Sequence, residues 1–291
     1  MSFQATGALA LLLLAPLIAG GFLWFERGAL YHPEMAEERD PWKALAGIAI
    51  RDRLREVEFE TADGKRIHAV YLPAPSASAY TMVFAHGNAG NLANRWAVLQ
   101  ACLEEGYGIL AFDYRGYGKS QGKPSEKGLY RDMEAASRYL AAHNTPIERQ
   151  IALGESLGTG VAVDVATRLP YRAVALYSAY TSIPAVVAHL RQTGQLGLLG
   201  RLPVDRIITQ RFDSLSKIPR VTCPLLLMQG ERDAMMPLAM PQALYDHAGA
   251  PYKTTLVIPG AGHNEAFTAG RRAFFDALAA LLKASEKQSA Q

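Results

Sequence analysis

Three short stretches hold residues whose types and order can do chemistry: Gly154-Glu155-Ser156-Leu157-Gly158, Gly230-Glu231-Arg232-Asp233 and Gly260-Ala261-Gly262-His263-Asn264. A serine hydroxyl is too weakly acidic to attack a carbonyl at neutral pH. It needs an imidazole to take its proton and an acid to hold that imidazole in one tautomer. Ser156 followed by Asp233 and then His263 is one of the chain orders in which this relay occurs. The spacing Gly-x-Ser-x-Gly, entered by the apolar run Ile151-Ala152-Leu153 and left through Val161, Ala162 and Val163, predicts a strand, a sharp turn and a helix. Such an elbow lifts the hydroxyl clear of a sheet, and the two glycines remove side chains that would collide there.

Other residues compete for the same tasks. His189 and His247 also follow Ser156, but one lies in an irregular apolar stretch and the other in a helical segment, whereas His263 follows the last strand directly. Glu231 and Asp233 compete as the acid. Asp233 stands farther into its loop, and Pro237 starts a helix behind it, so Asp233 is preferred and Glu231 is assigned to surface pairing. Asp113 precedes the serine and is expected to hold the turn Arg115-Gly116-Tyr117-Gly118. Negative charge on a tetrahedral intermediate needs preset donors. The backbone N–H groups of Leu157 and of Asn88, in His86-Gly87-Asn88-Ala89-Gly90-Asn91, are the candidates. His86 is read as a brace for that loop and His68 as a structural strand histidine. Glu155 is left between a salt bridge to a nearby arginine and an outward orientation.

The elements that must position these groups are legible as alternation. Residues 56–60 and 67–72 flank Asp63-Gly64 and predict an antiparallel hairpin. Continuous apolar runs follow at 80–85, 108–112, 151–153, 173–177, 225–229 and 254–258, separated by helical stretches at 92–105, 125–142, 238–247 and 265–283. That is the pattern of a mostly parallel sheet covered by helices on both faces. The alternation lapses between Ser178 and Cys223, where a small, largely apolar cap at about 179–223 is expected. The main domain is read as 55–284, with a connector at 28–54 and a fraying tail at 285–291.

The chain has 291 residues, 49% hydrophobic, enough for one domain with a large core. Its 30 basic and 27 acidic residues form no basic stripe, which sets nucleic-acid binding aside. Two cysteines make neither a disulfide framework nor a metal cluster, and the chemistry above needs no cofactor and no metal. Residues 1–25 carry no charged side chain, and 7–25 are almost wholly apolar. At about 1.5 Å per residue this run reaches the thickness of a bilayer core. The expectation is an N-terminal membrane anchor at 1–27, preferred over a cleaved signal peptide, and hence a single-pass membrane protein.

Taken in order, HGNAGN from His86, DYRGYGKSQGKPSEKGLYRD from Asp113, GESLG from Gly154, RFDSLSKI from Arg211, GERD from Gly230 and GAGHN from Gly260 resemble the α/β-hydrolase superfamily. Within it they are similar to the membrane-anchored, bud-emergence-type serine hydrolases. The resemblance implies the α/β-hydrolase fold, a triad of Ser156, Asp233 and His263, and an oxyanion hole at Asn88 and Leu157. Gln229 stands where that family often has histidine, and Met235-Met236 where it has a more polar pair. Both departures are read as bearing on substrate preference. The expected activity is hydrolysis of carboxylic esters or thioesters, with acyl or lipid-like substrates favoured by the anchor and the apolar cap. An acyltransferase, a serine peptidase and a non-catalytic tethered interaction protein are the alternatives.

Overall fold

The computed structural model describes residues 21, 24–44, 51–76 and 78–289. Its centre is an eight-stranded sheet: β1 (Arg55–Glu60), β2 (Arg66–Leu72), β3 (Thr81–Ala85), β4 (Gly108–Phe112), β5 (Gln150–Glu155), β6 (Ala173–Tyr177), β7 (Leu225–Gly230) and β8 (Lys253–Ile258). The spatial order is β1-β2-β4-β3-β5-β6-β7-β8. β1 and β2 pair antiparallel, as do β2 and β4, and the remaining pairs are parallel. β3 through β7 are buried along their length apart from Glu155, because helices cover both faces, and this is why they read as unbroken apolar runs.

One face packs against α2 (Glu126–Ala142), α3 (Leu157–Ala166) and α5 (Ala239–His247) through Leu129, Met133, Val161, Val165 and Leu244. The other packs against α1 (Trp96–Glu104) and α6 (Ala266–Ser289) through Leu99, Cys102, Phe274 and Leu278. Ser125 caps α2 by accepting the Gly128 N–H. Between β6 and β7 the described residues form α4 (Ile183–Gln192), three short 3-10 turns, and the one-turn helix Ser214–Lys217, in the stretch where a cap was expected. The final helix runs to Ser289 instead of fraying from 285. Glu286 is held there by the Tyr80 hydroxyl at 2.8 Å and Arg172 at 3.1 Å, a long-range contact that no local pattern announces.

The N-terminal expectation is corrected. Among the described residues no helix is long and apolar enough to cross a membrane, which overturns the membrane localisation. Residues 1–20, which carry most of the apolar run, lie outside the described residues. The described end of the run is a helix at 24–30 that belongs to the domain. Its Glu26 is only 6% exposed, with its carboxylate taken up by Thr209 and Gln210 of the loop after α4. The following residues, read above as a connector, form a parallel ladder in which His32 and Pro33 pair with Ala89 and Gly90.

A buried ion pair ties the loop after β4 to α2. Arg115, 5% exposed, donates to Asp132 from its backbone N–H at 2.9 Å and from its guanidinium at 2.8 Å, and its other edge meets Asp63 at 2.8 Å. Removing one partner of a buried pair strands the other charge. Asp132→Ala is expected to lower unfolding free energy by about 3–5 kcal/mol in urea titration; a loss below about 1 kcal/mol would show that Asp63 alone satisfies Arg115.

Candidate active site

The loops at the C-terminal ends of β3, β5, β6, β7 and β8 gather at one edge of the sheet, the usual place for a site in this architecture. Ser156 stands between β5 and α3 at φ 48° and ψ −117°, a left-handed conformation that a side chain rarely adopts. Close packing enforces it. A Cβ on Gly158 would lie 1.9 Å from the Ala85 carbonyl oxygen, and one on Gly154 would lie 2.8 Å from the Gly158 oxygen. The Ser156 N–H bonds the Tyr177 carbonyl at 3.0 Å, while the Thr159 N–H and hydroxyl both donate to the Ser156 carbonyl, at 2.9 and 2.7 Å.

Three of the expected residues meet. The Ser156 hydroxyl lies 3.0 Å from His263 Nε2, and His263 Nδ1 lies 2.7 Å from Asp233 Oδ2. A carboxylate only accepts, so the imidazole proton sits on Nδ1 and the bare Nε2 faces the serine. Asp233 is 4% exposed and fully occupied: Oδ1 accepts the Met235 and Met236 N–H groups at 3.0 and 2.8 Å, and Oδ2 also accepts from Gln229 Nε2 at 2.8 Å.

Gln229, read in the sequence only as a departure bearing on substrate preference, therefore supports Asp233. Its oxygen accepts the Ala179 N–H at 3.0 Å, which fixes which end of the amide donates. Ser178, at φ 54°, was missed in the sequence; its hydroxyl donates to the His263 carbonyl at 3.0 Å. The competing residues are elsewhere. Glu231 accepts the Gly260 N–H at 2.7 Å and so braces the loop that carries His263. His189 contacts the Ala234 carbonyl at 3.1 Å, and His247 contacts a carbonyl of its own helix.

The Leu157 N–H opens α3 beside Ser156, and the Asn88 N–H lies in the loop after β3. Among the described residues neither has an acceptor. Both are thus free to receive negative charge, with the positive end of the α3 dipole behind Leu157. The Asn88 loop is heavily braced. Tyr117 and the His32 N–H both donate to the Asn88 carbonyl, at 2.9 and 3.0 Å, and Tyr114 donates to the His86 carbonyl at 2.8 Å. Glu155 resolves to the salt-bridge reading: it pairs with Arg95 at 3.2 Å and accepts the Gly87 N–H at 3.3 Å, while Arg95 also donates to the Ala89 carbonyl. Asp113, fully buried, accepts the Leu92 N–H at 2.9 Å, and burial raises its pKa.

A cavity of about 350 Å³ opens above Ser156, walled by Phe25 and Leu30 from the 24–30 helix, Ile183 and Val186 from α4, and Met235 and Met236 from the acid loop. A second cavity, about 280 Å³ between α5 and β8, does not include Ser156 in its lining. Among the described residues no cluster of His, Cys, Asp and Glu is suited to a metal ion.

Fold and site together define a class, the α/β proteins with a strand-turn-helix serine at the sheet's C-terminal edge. A family model described as the alpha/beta hydrolase fold matches residues 80–195. Protein Rv2307c of Mycobacterium tuberculosis strain H37Rv is 33% identical over 286 residues, covering 96% of each chain. Human alpha/beta hydrolase domain-containing protein 17B is 33% identical over 74% of this chain and 71% of its own. Among solved structures, the Pyrococcus furiosus esterase Pf2001 superposes with a TM-score of 0.69 over 87% of this chain and 97% of its own, at 19% identity. The chain belongs to the α/β-hydrolase superfamily. These likenesses do not extend to the finer bud-emergence-type grouping.

The braces carry a pH dependence. His86 is wholly buried against Tyr114, and desolvation, with the nearby Arg95 charge, pushes its pKa from 6.5 down to about 3. Below pH 6.5 the unfolded chain takes up a proton that the folded chain refuses until about 3, so stability is full above 6.5 and falls as the pH drops through this window. The expected slope is about 1.4 kcal/mol per pH unit between pH 6 and 4. Urea titrations of wild type and His86→Phe at several pH values should differ by that slope; parallel lines would rule it out.

Proposed function

We propose that this chain is a serine hydrolase of carboxylic esters or thioesters whose acyl group occupies the cavity above Ser156. The observation that carries the reading is the closed relay, 3.0 Å from serine to imidazole and 2.7 Å from imidazole to carboxylate, at the floor of an apolar pocket. Ser156 Oγ attacks the acyl carbonyl as His263 Nε2 takes its proton, and Asp233 stabilises the imidazolium that forms. The carbonyl oxygen becomes an anion between the Leu157 and Asn88 N–H groups. Its collapse expels the alcohol or thiol, which receives the proton from His263 and leaves the acyl group on Ser156. Water, deprotonated by His263, then repeats the attack and releases the carboxylic acid.

An acyltransferase would share the first half and replace water by another acceptor, and a peptidase would share both. The pocket's apolar walls favour an acyl chain over a peptide segment. A non-catalytic role gives no reason for a strained serine aimed at a correctly oriented imidazole. The esterase name belongs to the Pyrococcus furiosus neighbour; its bearing here is that the same fold supports that chemistry.

Wild-type protein is expected to take a fluorophosphonate label that Ser156→Ala abolishes, with kcat on nitrophenyl esters falling by about 10⁶. A folded wild type that stays unlabelled would sink the reading. Gln229→Leu removes a donor to the buried Asp233 carboxylate. It should lower kcat about tenfold with little change in KM, and an unchanged kcat would show that the Gln229 bond to Asp233 does not support the acid.

A further inference from the structure

The cap does not close the pocket alone. The helix at 24–30 contributes Phe25, Glu26, Ala29 and Leu30 to its lining, and of these Glu26 is buried, 6% exposed. Glu26 Oε1 accepts the backbone N–H groups of Thr209 and Gln210, at 2.6 and 2.8 Å, and Oε2 accepts the Thr209 hydroxyl at 2.6 Å. Ile208, immediately before this docking point, lines the same pocket. One carboxylate thus joins two walls that come from chain segments some 180 residues apart. The Tyr31 hydroxyl adds a second tie to Gln210 at 3.0 Å. At the helix's last residue, the Leu30 carbonyl accepts from the Asn88 side chain at 3.1 Å, so the wall is also registered against the loop beside Ser156.

A buried carboxylate is costly unless several donors meet it. Here three do, and among the described residues no lysine or arginine pairs with it. The arrangement is a clamp built from directional hydrogen bonds, and what it fixes is the distance from Ser156 to the 24–30 wall. At ~30 Å³ per water-sized group, a cavity of about 350 Å³ holds roughly a dozen heavy atoms, which fits a medium-length acyl chain.

We propose that Glu26 is a positioning residue for substrate selectivity: by clamping the 24–30 helix to the cap at Thr209 and Gln210, it sets the length of apolar chain that fits above Ser156. The inference rests on the reading of Ser156 as the nucleophile of an ester or thioester hydrolase. Glu26 touches no reacting atom, so its removal acts on the chain that packs against the wall and spares the bond being broken. Glutamine preserves the clamp, because its oxygen accepts both backbone N–H groups and its nitrogen donates to the Thr209 hydroxyl; alanine abolishes it.

The test is the ratio of kcat/KM for nitrophenyl octanoate to that for nitrophenyl acetate. Glu26→Ala is expected to lower this ratio about tenfold, through KM for the octanoate. Glu26→Gln restores it. Should Glu26→Ala fail to fold, Ala29→Phe, at an exposed helical position bordering the pocket, decides the matter by filling the same wall, and the ratio is expected to fall likewise. A ratio unchanged in Glu26→Ala, or lowered equally in Glu26→Gln, overturns the proposal, as does a folded Ala29→Phe with the wild-type ratio. Fluorophosphonate labelling of the wild type separates the two levels. An unlabelled wild type removes the hydrolase reading itself, whereas a labelled wild type with length-independent variants removes only the clamp.

Discussion

The whole site depends on a backbone held where it does not want to be. A residue at φ 48° and ψ −117° is strained by about 1–3 kcal/mol, and Ser156 stays there because its neighbours leave no alternative. Gly158 is pressed against the Ala85 carbonyl so closely that no other residue fits. That contact brings α3 down onto the end of β3, and Leu157 at the start of α3 and Asn88 in the loop after β3 then line the same cavity as Ser156. A relaxed turn would separate them. The elbow therefore sets Ser156, Leu157 and the neighbouring Asn88 loop by a single packing constraint, and the strain is offset by the burial of β3, β5 and β6 around it.

The loops that answer the elbow are not rigid by themselves, and the chain fixes them with buried polar groups. Tyr114, Tyr117, the His32 N–H, Arg95 and Glu155 all end on the segment from His86 to Ala89. On the other side of the serine, Gln229, Ser178 and Glu231 hold Asp233 and the His263 loop. Polar networks of this kind specify one arrangement only when nearly every member is satisfied. The site's accuracy is thus bought by the surrounding second layer of residues, most of them far from the serine in sequence.

That distance explains what the sequence revealed and what it concealed. The sheet was legible because parallel strands covered on both faces leave long apolar runs, and Ser156, Asp233 and His263 were legible because each ends such a run in a glycine-bearing loop. Gln229 was noticed only as a departure bearing on substrate preference, and its hydrogen bond to Asp233 was not legible, since the side chain just before a strand's closing glycine can face either way and only the fold decides. Ser178 left no mark at all, being one more serine after a strand. The N-terminal run was misread for a clearer reason. Hydropathy counts apolar residues without knowing what they meet, and the described end of this run, with Glu26 at its first charge, meets the cap.

The arm that follows has consequences for how specificity can vary within this fold. The family model covers 80–195, which includes the elbow and the Asn88 loop but neither the acid, the histidine, the 24–36 arm nor the 208–210 docking point. The part matched as common to the fold is the part that packing constrains most. The pocket's far wall is built from two segments outside it, joined by one carboxylate. A change in the length or composition of either segment moves the wall, and none of the arm's hydrogen bonds, to Asn88, Gly90, Asn91, Gly118 and the Thr209–Gln210 loop, ends on Ser156 or on the glycines of its turn. The proposed chemistry and the proposed selectivity thus rest on different contacts: the first on close-packed glycines at Gly154 and Gly158, the second on the hydrogen bonds of Glu26 to Thr209 and Gln210.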